Sequence, residues 1–300
     1  MGKIYSKPAK HFRNKKEKAM SKPEIKKDQL IHNCMTKRKY SASYVLPLDD
    51  DEVDRMTLQH YLFQNVWKSN FSSPVASLLE RGAKMLDIGC GPGVLVLELA
   101  SKYPMSHFTG CDIVANYPNQ IKPENSTFVK GDVIEGLPFA DNTFMMFAIM
   151  AKDWPLAIKE MIRVTKPGGW IELMERDIVW YNESDNVKKW RTKIVDGLKA
   201  EKGIDIIISP LIPNYLAANK SITNISIDER VEPLGPWGGV VGKAYSEIIS
   251  WGAKNLSEVV ADIQFQEGRY EMLVDLAMKE LDSNKAFDKS HRFWAMKKTV

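Results

Sequence analysis

The sequence predicts a doubly wound α/β domain: a mostly parallel sheet, closed by a final antiparallel strand, with helices on its faces. Three observations predict it. Short apolar runs at 84–88, 107–112, 126–130, 145–150 and 170–175 alternate with helical or turn segments, the pattern of parallel strands joined by right-handed crossovers. "DIGCGPG", Asp87 to Gly93, places three glycines between the first of these runs and a helix. "KPGG", Lys166 to Gly169, ends a later helix with a cation, a proline and two glycines just before the strand "WIEL".

In chain order, residues 1–43 read as a disordered basic tail. Residues 1–40 carry thirteen Lys or Arg against three acidic residues, with little apolar content and no period. The remaining 260 residues hold 29 basic and 35 acidic residues, so the overall net charge of +4 is a basic tail on a mildly acidic body. Such a tail suits weak contact with anionic membrane or nucleic acid. Its opening Met1-Gly2 with Ser6 fits the loose N-myristoylation pattern, although Lys3 is unfavourable there.

Residues 44–300 read as one domain. "LPLDDDEVDRMTLQHYLFQNVWKSN" predicts a helix with Asp49, Asp50 and Asp51 at its positive end, and Val53, Met56, His60, Phe63 and Trp67 on one face. Helices are expected at about 93–102 and 153–165. In the latter Asp153 is the cap, and Leu156, Ile158, Met161, Ile162 and Thr165 form the packing face. A helix near 185–200 and a strand at 222–231 follow. Two amphipathic helices come next, with faces Val241, Ala244, Ile248, Trp251 and Tyr270, Leu273, Ala277, Leu281. "HRFWAMKK" supplies the last strand. The strands thus define a core at 80–177 and 222–300, with helical lid elements at about 178–221 and 236–282.

No run of eighteen apolar residues exists, and the N-terminus has no signal-peptide core. Cys34, Cys90 and Cys111 show no zinc spacing and are too few for a disulfide framework, so an intracellular setting, cytoplasmic or nuclear, is expected, with no metal.

The glycine loop carries the chemistry. It is not the dinucleotide fingerprint G-x-G-x-x-G, because Val94 holds the completing position, and it lacks the Gly-Lys-Ser/Thr end of a P-loop. Pro92 removes a backbone N–H from any anion cradle, so a ligand without phosphates fits better. Asp112 stands 19 residues beyond Gly93 at a strand end, and Asp132 occupies the corresponding place after the third strand.

The order D-x-G-x-G-x-G, two strand-end aspartates and "RVTKPGGWIEL" resembles the Rossmann-like class I S-adenosylmethionine-dependent methyltransferases. "YVLPLDDDEVDRMTLQHYLFQ" and "LGPWGGVVGKAYSE" extend the resemblance to the fungal LaeA-like group. It implies S-adenosylmethionine as cofactor, held by Asp87, Gly89, Cys90, Gly91 and Gly93, by Asp112 and Ile113, and by Asp132 and Val133. It also implies that the helix carrying Arg55, Gln59 and His60 borders the pocket. The chain departs from the family where Phe144 runs straight into Met145: the usual acidic residue and the loop after strand four are missing. A reduced acceptor site and a gene model lacking a short coding piece both explain this. No residue is identified as catalytic, with His60, Glu175 and Asp177 merely available. Two readings follow: a methyltransferase acting on an unidentified small molecule or protein, or a non-catalytic regulatory relative.

Overall fold

The computed structural model describes residues 46–47, 49–148, 153–256 and 269–299. The basic tail, the loop after strand four and the segment 257–268 lie outside them. Seven strands form one sheet in the order β3-β2-β1-β4-β5-β7-β6. These are β1 (Lys84–Ile88), β2 (His107–Asp112), β3 (Ser126–Lys130), β4 (Met145–Ala148), β5 (Trp170–Glu175), β6 (Ile222–Pro233) and β7 (Phe287–Lys297). β1 to β5 pair in parallel, while β7 runs antiparallel between β5 and β6. This is the doubly wound sheet with a final antiparallel strand that the sequence predicts.

The helices are α1 (Asp50–Trp67), α2 (Ala76–Glu80), α3 (Val94–Lys102), α4 (Trp154–Val164), α5 (Asp185–Lys202), α6 (Ile212–Ala217), α7 (Gly239–Asn255) and α8 (Arg269–Ser283). Asp49 caps α1 by accepting from Glu52 N at 3.0 Å, and Asp153 caps α4 by accepting from Leu156 N at 3.0 Å. The faces differ from the predicted ones by a residue or so. In α1 the buried residues are Glu52, Arg55, Leu62 and Trp67. The charged pair turns inward because Arg55 binds both Glu52 oxygens and Asn255 of α7 donates to Glu52 as well, so neither charge is buried unpaired. In α4, Trp154 and Ala157 are buried and Leu156 is exposed, with Ile158, Met161 and Ile162 as expected. Each of those three contributes about 1.5–3 kcal/mol by burial. In α7 the inward residues are Gly242, Tyr245, Ile248 and Ile249; in α8 Leu273 points out and Val274 points in.

Side chains alternate along β1: Met85 joins the cluster under α3, whereas Leu86 and Ile88 join the cluster under α4 and α6. Within the stretch expected to be lid, Ile208, Ile212 and Leu216 belong to that main core. A third cluster, from α1, α5, α7 and α8, forms a helical cap. Because β1, β2 and β5 are parallel, Ile88, Asp112 and Glu175 all end at one edge of the sheet, the edge where α/β proteins bind ligands.

Candidate functional site

At that edge the glycine loop passes from β1 into α3. Gly89, Gly91 and Gly93 all have positive φ, at 75°, 50° and 79°. Gly89 N and Cys90 N both point at Cys111 O, at 2.8 and 3.3 Å. Gly91 N donates to Asp112 Oδ2 at 2.8 Å, while Asp112 Oδ1 accepts from Val114 N at 2.9 Å. One carboxylate thus straps the loop to the end of β2. Each oxygen has a second lone pair, so Asp112 can also accept from a vicinal diol.

Gly91 and Gly93 have different reasons to be glycine. A Cβ on Gly93 would lie 2.5 Å from Phe128 Cε1, and one on Gly110 would lie 2.6 Å from Phe128 Cδ1 and 2.9 Å from Cys90 Sγ. These two make room for the Phe128 ring of β3, which stacks on Tyr117 at 4.9 Å. Gly93 is buried; Gly89 is exposed and Gly91 half-buried. The bare main chain available to a ligand is therefore Gly89 to Gly91, a shorter stretch than the motif suggested. A Cβ on Gly91 would first meet Met56 Sδ of α1, at 3.2 Å.

Asp87 is 3% exposed at the end of β1. Burial, followed by the charge of Asp112, pushes its carboxyl up to about 8. Asp112 is also raised, by burial working against its backbone hydrogen bonds. Burial raises both thiols, Cys111 to about 12 and Cys90 further, so both stay neutral. Asp132 Oδ1 accepts from Ile134 N at 2.9 Å and stands half-buried beyond β3, while Ile113 is half-buried next to Asp112. The Val133 side chain packs into the main core. The structure thus gathers Asp87, Gly89, Cys90, Gly91 and Asp112 at one point.

The available titratable groups have other tasks. His60 Nε2 lies 2.9 Å from Glu98 Oε2, and Gln64 and Asn70 donate to the same carboxylate, tying α1 to α3. Burial raises Glu98, but those hydrogen bonds outweigh it and hold the group below its ordinary value. Asp177 Oδ1 accepts from Ile208 N and Ser209 N at 2.8 and 3.0 Å. Glu175 is buried at the end of β5. Arg55 pairs with Glu52 and donates to Gln59 at 2.7 Å. An open polar groove lined by Tyr61, Gln64, Lys68 and Lys102 flanks α1, and none of its lining residues belongs to the loop or a strand end.

Sequence reasoning missed a polar cluster at the same edge. Arg176, just beyond β5, donates to the Tyr245 hydroxyl, and its Nε stands 3.7 Å from Asp288. Tyr245 donates to Asp288 at 3.1 Å. Glu232, directly across the β6–β7 ladder from Asp288, accepts from Ser290, which in turn accepts from the Trp67 indole at 3.0 Å. Burial raises Glu232 and takes Asp288 up to about 7, despite Arg176. The available signal was an acidic residue near the end of each paired strand, followed through the register.

Sheet order and glycine loop are together those expected of a class I methyltransferase domain, with no group of three or more metal-ligating side chains among the described residues. Residues 85–169 match the family described as "Methyltransferase domain". The chain is 32% identical to methyltransferase pytC of Aspergillus terreus over 149 residues, 48% of this chain and 45% of that protein. It is 30% identical to the protein-methionine methyltransferase laeA of Emericella nidulans over 143 residues, 45% of this chain and 37% of that protein. Methyltransferase str2 of Strobilurus tenacellus is 27% identical over 204 residues, 64% of this chain and 72% of that protein. The match with pytC and laeA spans less than half of those relatives' length. A solved phosphoethanolamine N-methyltransferase 2 of Haemonchus contortus shares 18% identity, with 87% of this chain and 61% of that one covered at a TM-score of 0.49.

Proposed function

We propose that this protein transfers the methyl group of S-adenosylmethionine to an acceptor held between the sheet edge and the helical cap. The observation that carries this reading is the Asp112 carboxylate, half-buried beside the exposed Gly89 and bound to Gly91 N. When bound, the cofactor supplies an electrophilic sulfonium methyl. Gly89 to Gly91 let it approach the main chain, Asp112 accepts from its ribose, and Asp87, Ile113 and Asp132 complete the set. The cap excludes water and aligns the acceptor, which accounts for most of the rate in a displacement of this kind. With His60 and Asp177 engaged elsewhere, an acceptor that needs no base is favoured.

Titration calorimetry with S-adenosylmethionine tests the cofactor site, and label transfer to cell extract tests turnover. Failure to bind at millimolar concentration overturns the reading. Bound cofactor without labelled product supports the second reading, a regulatory relative. That reading is favoured by the departure after Phe144 and by the name of another relative, the secondary metabolism regulator laeA of Aspergillus flavus. We read residues 1–43 as a contact for anionic membrane or nucleic acid, which salt-dependent binding of the full chain against one lacking those residues tests. No described helix is long and apolar enough to cross a membrane. An intracellular placement rests on the cysteine usage.

A further inference from the structure

Two lysines, Lys68 and Lys102, and two aromatic rings, Tyr61 and Phe71, line an open polar groove of about 400 Å³ at the C-terminal ends of α1 and α3. Among the described residues no carboxylate lines it. Neither ammonium group has an acidic partner among the described residues: Lys68 Nζ donates to Asn65 at 3.2 Å, and Lys102 Nζ stands over the Tyr103 ring at 5.5 Å. Both lysines are exposed. The Tyr61 ring meets His60 edge-on at 5.2 Å and is 52% exposed.

Lysines at helix ends often do no more than offset the helix dipole, so the charges need counting. Lys68 caps α1 and Lys102 closes α3. Each helix end carries about half a negative charge, which leaves about one positive charge of the two. Glu98 lies one turn before Lys102 on α3 and does not line the groove. Gln64 and Asn70, which do line it, both donate to Glu98, so that carboxylate sits one layer further from the opening than the ammonium groups. Coulomb attraction falls with distance, and the two nearer cations dominate. Lys68 also has a left-handed backbone, with φ 55° and ψ 15°. Glycine is the usual residue at such a helix end and is unstrained there. The chain therefore keeps a cation on the groove wall at a position where the backbone alone favours glycine.

We propose that this groove binds a small ring-bearing acid, its carboxylate between Lys68 and Lys102 and its ring against Tyr61 and Phe71. The site lies apart from the glycine loop and goes beyond the methyltransferase reading, on which it does not depend. One net positive charge suits a monoanion, whereas a phosphate dianion brings more charge than the groove offsets. A cationic amine is repelled, and an uncharged ring forgoes both ion pairs.

Full-length protein labelled with 15N-lysine is titrated with benzoate, with benzyl alcohol, which keeps the ring without the charge, and with acetate, which keeps the charge without the ring. The expected result is a saturable shift by benzoate, with a millimolar Kd, of the two amide resonances that are missing in Lys68→Arg and Lys102→Arg. Acetate should bind more weakly and benzyl alcohol should move neither resonance. Lys68→Gly, which suits the left-handed backbone, and Lys102→Gln should each weaken benzoate about threefold, the loss of one exposed ion pair. Salt at 1 M, where charges are screened beyond about 3 Å, should remove the benzoate shift. An equal effect of benzyl alcohol or acetate, a shift spread evenly over the other lysines, or an unchanged benzoate affinity in both substituted proteins overturns the proposal. The wild-type titration decides this even if a variant fails to fold. No cofactor is present in these titrations, so failure of S-adenosylmethionine to bind sinks the methyltransferase reading and leaves the groove to be judged by benzoate alone.

Discussion

Asp87 offers the sharpest test of the site's electrostatics. Its carboxyl is 3% exposed, beside Asp112, and is pushed from 3.8 up to about 8. The folded protein therefore holds a proton at Asp87 that the unfolded chain has already released. The sign follows from linkage: between pH 3.8 and about 8 the native state binds more protons than the unfolded one, so stability falls as pH rises through that window and levels off above it. The ceiling is about 1.4 kcal/mol per pH unit; because Asp112 shares the titration and a buried site relaxes, a total of about 2–4 kcal/mol is the working expectation. Asp87→Asn keeps the shape and removes the titration. Urea unfolding of both proteins at pH 5, 6.5 and 8 should give a difference that grows with pH in favour of the variant, with other groups cancelling. A difference that stays flat across the three pH values refutes the reasoning.

Three further outcomes are expected. Gly93→Ala forces a Cβ to within 2.5 Å of Phe128 at a positive φ, and should cost about 2–4 kcal/mol in urea unfolding, with the Gly93→Ala, Phe128→Ala pair less than additive. Asp112→Ala leaves Gly91 N without its acceptor and removes the carboxylate proposed to hold the ribose, so calorimetry should show cofactor affinity reduced at least tenfold. His60→Gln, which can still donate to Glu98, should leave the pH profile of any methyl transfer unchanged and cost under about 1 kcal/mol of stability; a displaced profile would return His60 to the chemistry.

Much of the fold was legible because strands in a parallel sheet are short, apolar and punctuated. "KMLDI", "HFTGCD" and "WIELME" begin and end where their runs do. Helix faces were less legible. Apolar periodicity chose Val53 and Met56 in α1, but the helix buries Glu52 and Arg55, which satisfy each other and Asn255 some two hundred residues away. No local pattern reports a partner that distant. The loop motif pointed to the candidate site, yet it could not apportion its glycines: Gly93 answers to Phe128, a residue on another strand. Asp112 was read as a ligand contact alone, whereas its hold on Gly91 N needs the β1–β2 register to bring the two together.

The two ends of the crevice share a device. Asp87 beside the glycine loop and Asp288 beside Arg176 are both carboxyls lifted by burial, to about 8 and about 7. Near neutral pH such groups exchange protons with little cost, so their charge can follow the charge of what lies next to them. A sulfonium ligand carries a positive charge that its demethylated product lacks. Asp87 would give up its proton beside the first and regain it beside the second. The affinity ratio of S-adenosylmethionine to S-adenosylhomocysteine should therefore rise with pH up to about 8 and then level off, and Asp87→Asn should flatten that rise while Asp288→Asn leaves it in place. A ratio independent of pH in the wild-type protein would mean that Asp87 does not sense the sulfonium, and the carboxyl's role would reduce to closing the end of β1.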